Sequence, residues 1–117
     1  MLPDLKANGR LTLGENLADH GGLQVAFTAY KNATKYAPLG ELDGLAADQR
    51  FFHAYAGVWA NNITEAEIRK RTKSDPHSLG RWRVNGALPH VDAWYEAFGV
   101  KEGDKLFIPK KERLDLW

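Results

Sequence analysis

Apolar positions recur at helical spacing through most of this chain. In LTLGENLADHGGLQVAFTAY, Leu17, Ala18, Val25, Ala26, Ala29 and Tyr30 fall on one stripe. That predicts an amphipathic helix over about residues 13–35 with the stripe on the core. Gly21 and Gly22 interrupt it, each costing about 1 kcal/mol against alanine, so something is expected to pack closely there. APLGELDGL reads as a loop. Phe51, Phe52, Tyr55, Val58 and Trp59 then form a wide aromatic face on a second helix over about residues 46–61. TEAE, from Thr64, opens a third helix that ends in RKRTK. A long loop, SDPHSLGRWRVNGAL, precedes a fourth helix opened by Pro89, with Trp94, Tyr95 and Phe98 on its face and Gly99 after its end. The tail is expected to hold one short extended piece before Pro109. The class is mainly α: about four helices with long loops.

Composition narrows the function classes. The chain has 117 residues, enough for one domain or a piece of one, and 44% are hydrophobic, which argues against disorder. A net charge of +1 gives no bulk reason for a nucleic-acid partner, and RKRTK reads as a solvated helix end. No cysteine is present, so disulfides and thiolate metal sites are excluded. No apolar run reaches a membrane span, and no contact with a membrane is expected from this segment. The N-terminus lacks the apolar region of a signal peptide.

The candidate chemistry lies in three places. Thr12 and Glu15 make T-x-x-E, which fits a capping box at the start of the first helix. The same Glu15 shares a helical face with Asp19, and two acids one turn apart also suit a cation, one binding it and the other orienting a neighbouring ligand. His77 sits in a loop, where functional side chains concentrate, against the plain reading of a histidine without a task. Arg83 suits either a surface ion pair or bidentate recognition of carbonyls and carboxylates. His20 is rotated about 100° from Asp19 and is expected to face elsewhere. His53 is interleaved in the aromatic helix and His90 lies at a helix start; no H-x3-H pair exists for a local zinc site.

Four ordered motifs carry a resemblance. NGRLTLGENLADHGGLQVAFTAY, QRFFHAYAGVWA, DPHSLGRWRVNGAL and the final tryptophan resemble segments of the neprilysin and endothelin-converting-enzyme family of zinc peptidases. The resemblance spans about residues 8–117. It implies part of a zincin (thermolysin-like) catalytic domain, with Glu15 as the third zinc ligand and Asp19 orienting a ligand histidine and pairing with Arg83. It further implies that His77 hydrogen-bonds the oxyanion of the transition state. Arg83 would hold a substrate backbone carbonyl, and Val58 and Trp59 would line the pocket for a bulky apolar side chain after the scissile bond.

The departures bear on the expected activity. The family takes two zinc ligands and its general base from an H-E-x-x-H helix, and this sequence has none; the substrate-binding N-A-Y is also absent. Both lie upstream in the family. The chain, residues 1–117, is therefore expected to be the C-terminal segment of such a catalytic domain, with peptide substrates and the remainder of that domain as partners. Leu79 stands where the family has proline, a change expected to loosen the loop, and the lack of a cysteine near the end resembles bacterial members. An extracytoplasmic location is what the resemblance implies. A non-catalytic helical interaction module is the alternative. One carboxylate cannot hold a catalytic zinc, so this chain alone is expected to bind zinc weakly and to lack peptidase activity. Exposed apolar surface should drive it to self-associate; sedimentation velocity checks this, and a clean monomer with little hydrophobic-dye binding counts against it.

Overall fold

The computed structural model describes residues 2–116, so the family-like terminal tryptophan, Trp117, lies outside the described residues. Five α-helices follow in order: α1 (Gly9–Ala33), α2 (Ala47–Val58), α3 (Glu65–Ser74), α4 (Gly80–Asn85) and α5 (Asp92–Phe98). Short 3-10 turns cover Leu88–His90 and Lys110–Glu112. Among the described residues there is no strand, only an isolated bridge between Leu42 and Leu45. The mainly helical class holds. The count of four does not, because the loop after His77 contains α4. The extended piece expected before Pro109 is instead irregular chain followed by a 3-10 turn.

α1 begins a turn earlier than the pattern suggested. Asn8 is its N-cap, with a side-chain oxygen that accepts from the Leu11 N–H at 3.1 Å. Thr12 is therefore inside the helix, and its hydroxyl donates to the Asn8 carbonyl at 3.3 Å. This overturns the capping-box reading of Thr12 and Glu15: Thr12 lies inside the helix, Asn8 caps it, and the Glu15 side chain is free for other work. At α3 the signal was right, since Thr64 accepts from the Glu67 N–H at 3.2 Å. Glu67 does not reach back, however; its carboxylate meets Arg71 at 2.7 Å. Arg69 likewise pairs with Glu65 and Asp4, so the two arginines of the basic run are paired on the surface.

The core is made by α2 and α5 with the middle of α1. Leu23, Phe52, Ala87, Leu88 and Val91 are buried, and Phe27, Phe51, Tyr55, Val84 and Trp94 pack around them. Phe27 stacks on Phe52 with ring centroids 5.3 Å apart, and Phe51 meets both edge-on. Polar ties fix the helix ends. Tyr30 donates to Asp48 at 2.9 Å, and Gln49 Nε2 donates to the Ala97 carbonyl at 2.9 Å. Gly99, at φ 62°, closes α5 in the left-handed conformation that glycine adopts without strain.

The inward face of α1 is not the expected stripe. Thr12, His20, Gly21 and Leu23 are buried, whereas Ala18, Val25, Ala26 and Ala29 are exposed. A Cβ added at Gly14 or Gly22 would meet no atom within 4 Å. The closely packed neighbour inferred for the glycine pair is thus not supplied at Gly22 by the described chain. None of the described helices is long and apolar enough to cross a membrane.

The tail is held by two histidines from distant elements. His20 Nε2 donates to the Leu114 carbonyl at 3.1 Å, and the Leu114 N–H donates to His90 Nδ1 at 3.1 Å. The two rings meet edge to face at 5.6 Å. Arg113 stacks on Tyr95, with Cζ 3.4 Å from the ring centroid, and pairs with Asp92 at 2.8 Å. Burial, then the neighbouring His20 and Arg113, push the His90 pKa below its ordinary value. The unfolded chain then binds the proton more readily than the folded one, so stability falls as pH drops through the unfolded value of about 6.5. Thermal melts between pH 8 and 5 should show that loss. His90→Asn, which keeps an acceptor and cannot titrate, should reduce the slope; an unchanged slope would remove His90 from the account.

The Leu79 backbone is already preset for proline. It caps α4 at φ −61°, and among the described residues its N–H donates no hydrogen bond. Leu79→Pro should therefore stabilise by about 0.4–1 kcal/mol, through fewer unfolded conformations. A lower melting temperature for that variant would show that the loop relies on its present freedom.

Candidate active site

Glu15 and Asp19 project from the same side of α1, one turn apart, as the spacing requires. They meet different partners. Asp19 accepts two hydrogen bonds from Arg83, from Nε to Oδ2 and from Nη2 to Oδ1, each 2.6 Å. Both side chains are largely buried, at 13% and 14% exposure. The hydrogen bonds that Arg83 donates to Asp19 raise the Arg83 pKa further, against the opposing pull of burial. The guanidinium also lies over the Trp59 ring, its Cζ 3.7 Å from the centroid. Tyr55, one turn before Trp59, donates to the Arg83 backbone carbonyl at 2.9 Å. Burial and the nearby Asp19 charge raise the Tyr55 pKa, so its hydroxyl stays a donor.

His77 follows α3 in a turn that Asp75 organises. One oxygen, Asp75 Oδ1, accepts from the His77 N–H at 2.9 Å and from its Nδ1 at 2.8 Å. These two bonds hold the Asp75 carboxyl below the usual carboxylate range. Because a carboxylate only accepts, the proton to Asp75 sits on Nδ1, and Nε2 is left to face outward. There it meets Glu15 Oε2 at 3.2 Å. The next residue, Ser78, donates to Asn16 Oδ1 at 2.8 Å, and Asn16 in turn donates to Thr12 at 3.3 Å. The loop is thus stitched to α1 at two successive residues.

Of the residues singled out from sequence, Glu15, Asp19, His77, Arg83 and Trp59 converge. Asp19, His77 and Arg83 line a cavity of about 350 Å³ whose apolar wall includes Leu17, Trp82 and Leu114. His77, Arg83 and Trp59 line a second one of about 210 Å³. Val58 does not join them: it is 72% exposed and lines neither cavity. The sequence reading gave Asp75, Tyr55 and Asn16 no role. The D-x-H spacing of an Asx turn could have flagged Asp75; nothing local marks Tyr55, whose partner lies 28 residues away. His20 reaches Leu114, yet it lines the same cavity as Asp19, His77 and Arg83, so the expectation that it faces elsewhere does not hold.

The metal question can be put to the donor set. Glu15 offers one half-exposed carboxylate whose described ion-pair partner is a histidine. Among the described residues no group of three or more His, Cys, Asp or Glu side chains is placed to hold a metal ion. The residues of this chain therefore fit one corner of a zinc site and not a whole one.

The family model described as Peptidase family M13 matches residues 2–114. The chain is 38% identical to neprilysin-1 of Caenorhabditis elegans, an alignment covering 92% of the chain and 15% of that protein. With human endothelin-converting enzyme 1 it shares 40% identity, covering 89% of the chain and 14% of the relative. The crystal structure of Mycobacterium tuberculosis zinc metalloprotease Zmp1 in complex with an inhibitor superposes with a TM-score of 0.90 at 40% identity, covering 95% of the chain and 17% of Zmp1. The chain thus spans about one-seventh of the length of the curated relatives it matches. A family model covering nearly every residue and a fold shared with a zinc metalloprotease lead to one conclusion: this chain belongs to peptidase family M13.

Proposed function

We propose that this chain is the C-terminal part of the catalytic domain of a zinc endopeptidase and supplies one metal ligand, one oxyanion donor and one substrate-binding arginine. The observation that carries the reading is the meeting of Glu15 with His77 Nε2 at 3.2 Å, beside an Arg83 already fixed on Asp19. Few structural needs explain an acid and a histidine facing each other at the surface while a buried ion pair is built one turn away.

Each residue then has a task its geometry supports. Glu15 would contribute a carboxylate to zinc, together with two histidines from outside this chain; when bound, the metal would polarise the peptide carbonyl and activate water. His77, with Nδ1 pinned to Asp75, presents Nε2 in a fixed direction. A proton there would donate to an oxygen that gains negative charge, and because the ring is held in advance little reorganisation is needed. Asp19 takes Nε–H and one Nη2–H of Arg83. The remaining N–H groups can donate to a substrate carbonyl, the role the resemblance assigns to it. Val58 and Trp59 remain candidates for the apolar pocket, Val58 from a solvent-facing position that further chain would have to enclose.

The exposed face of α1, with Gly14, Ala18, Gly22, Val25 and Ala29, is where the rest of the domain would dock. Small residues at these positions let another helix approach closely. An extracytoplasmic location is part of the same reading and rests on the resemblance alone.

In the full-length protein, Glu15→Gln should weaken zinc binding at least about 100-fold, measured by metal analysis after dialysis. His77→Ala should lower kcat about 100- to 1000-fold with zinc retained. Zinc held stoichiometrically by the 117-residue chain alone, or unchanged turnover in His77→Ala, would overturn these roles.

A further inference from the structure

We propose that Trp59 is a positioning residue for Arg83: an indole shelf that fixes the plane of the guanidinium and so aims its free edge, a task beside the pocket role given to it above. The inference rests on the reading of Arg83 as the group that holds a substrate carbonyl.

Three contacts define the shelf. The Arg83 Cζ lies 3.7 Å from the Trp59 ring centroid, which is face-to-face van der Waals contact. Tyr55, from the preceding turn of α2, meets Trp59 edge-on at 6.5 Å and fixes the Arg83 backbone through its hydroxyl. Trp59 itself is the C-cap of α2, and α4 starts hard against it: a Cβ at Gly80 would collide with the Trp59 carbonyl oxygen. The indole and the arginine are thus locked together at both backbone and side chain.

Asp19 alone would not aim the arginine. A bidentate carboxylate sets the in-plane direction of the fork but still lets the guanidinium rock out of that plane. An aromatic face at contact distance removes the rocking motion. With Nε and one Nη2–H taken by Asp19, the edge left for a ligand is the second Nη2–H and the two Nη1–H groups, in a direction set by the indole. Trp59 would then act on carbonyl binding in general, beside any effect on the side chain after the scissile bond.

Two measurements test this. In the 117-residue chain labelled with nitrogen-15, the Arg83 Nε–H resonance should carry the ring-current shift of the indole. Trp59→Leu should move it downfield and speed its exchange with water, while Trp59→Phe, which keeps an aromatic face, should largely preserve it. No difference between the native chain and Trp59→Leu, with circular dichroism confirming that both are folded, overturns the shelf.

In the full-length zinc-loaded protein, Trp59→Leu should raise KM about tenfold with little change in kcat. The effect should already be present for a peptide with glycine after the scissile bond, which puts no side chain into a pocket. In an Arg83→Met background it should vanish. No penalty on the glycine peptide, or one that adds in full to Arg83→Met, overturns the proposal. An unchanged KM in Arg83→Met alone would instead overturn the carbonyl-holding role of Arg83, and the resonance comparison would still decide the shelf.

Discussion

Asp19 and Arg83 join α1 to α4 through two short hydrogen bonds between fully charged groups that are mostly out of water. Burying either charge alone would be costly, and removing one partner of such a pair typically costs about 3–5 kcal/mol. That is a large share of the roughly 5–15 kcal/mol that holds a domain together. The pair therefore constrains where α4 can sit and, through it, the loop that carries His77. Tyr55 and Trp59 add a second hold from α2. Three helices thus meet at one arginine, and the residues proposed for catalysis are arranged around it.

The first helix serves two surfaces at once. Leu23 and Phe27 enter the aromatic core, and His20 reaches the tail. The opposite side, with small residues and Val25, stays open. A helix that is apolar on both sides belongs inside a larger body. On the proposed reading, Glu15 sits at the border between the two surfaces, where a ligand shared with another helix has to be.

The tail shows how the same elements are stabilised without large burial. His20 and His90 take the carbonyl and the amide of Leu114, while Arg113 covers Tyr95. Tyr95 donates its hydroxyl to Pro89 O at 2.7 Å and accepts from the Ile108 N–H at 3.0 Å. Irregular chain thereby has its backbone groups satisfied by side chains, the requirement any segment without a helix or strand must meet.

Much of this was legible before any coordinates. Helical spacing located α1, α2 and α5, Gly99 marked a real stop, and Thr64 a real start. Local geometry governs such features, because each depends on residues within a turn or two. The motifs around Glu15, Asp19, His77 and Arg83 named the residues that converge. What failed was the choice of face and of cap. The stripe through Val25 looked like core because periodicity reports amphipathicity but not which neighbour is present. Thr12 looked like a cap because T-x-x-E matches the capping-box pattern, whereas Asn8 caps the helix one turn earlier. The short α4 was invisible, being held by Leu79, Gly80 and the contact of Arg83 with Asp19 and not by any repeat of its own. Sequence alone thus determined the helical class, the family resemblance and most of the residues that converge on Arg83, since these are written in spacing and residue type. Only the tertiary structure decided that Glu15 faces His77, that Arg83 is gripped by Asp19 and Trp59, and that His20 and His90 close on Leu114. Those contacts join residues 24 to 94 positions apart, and no local pattern encodes which distant group will arrive.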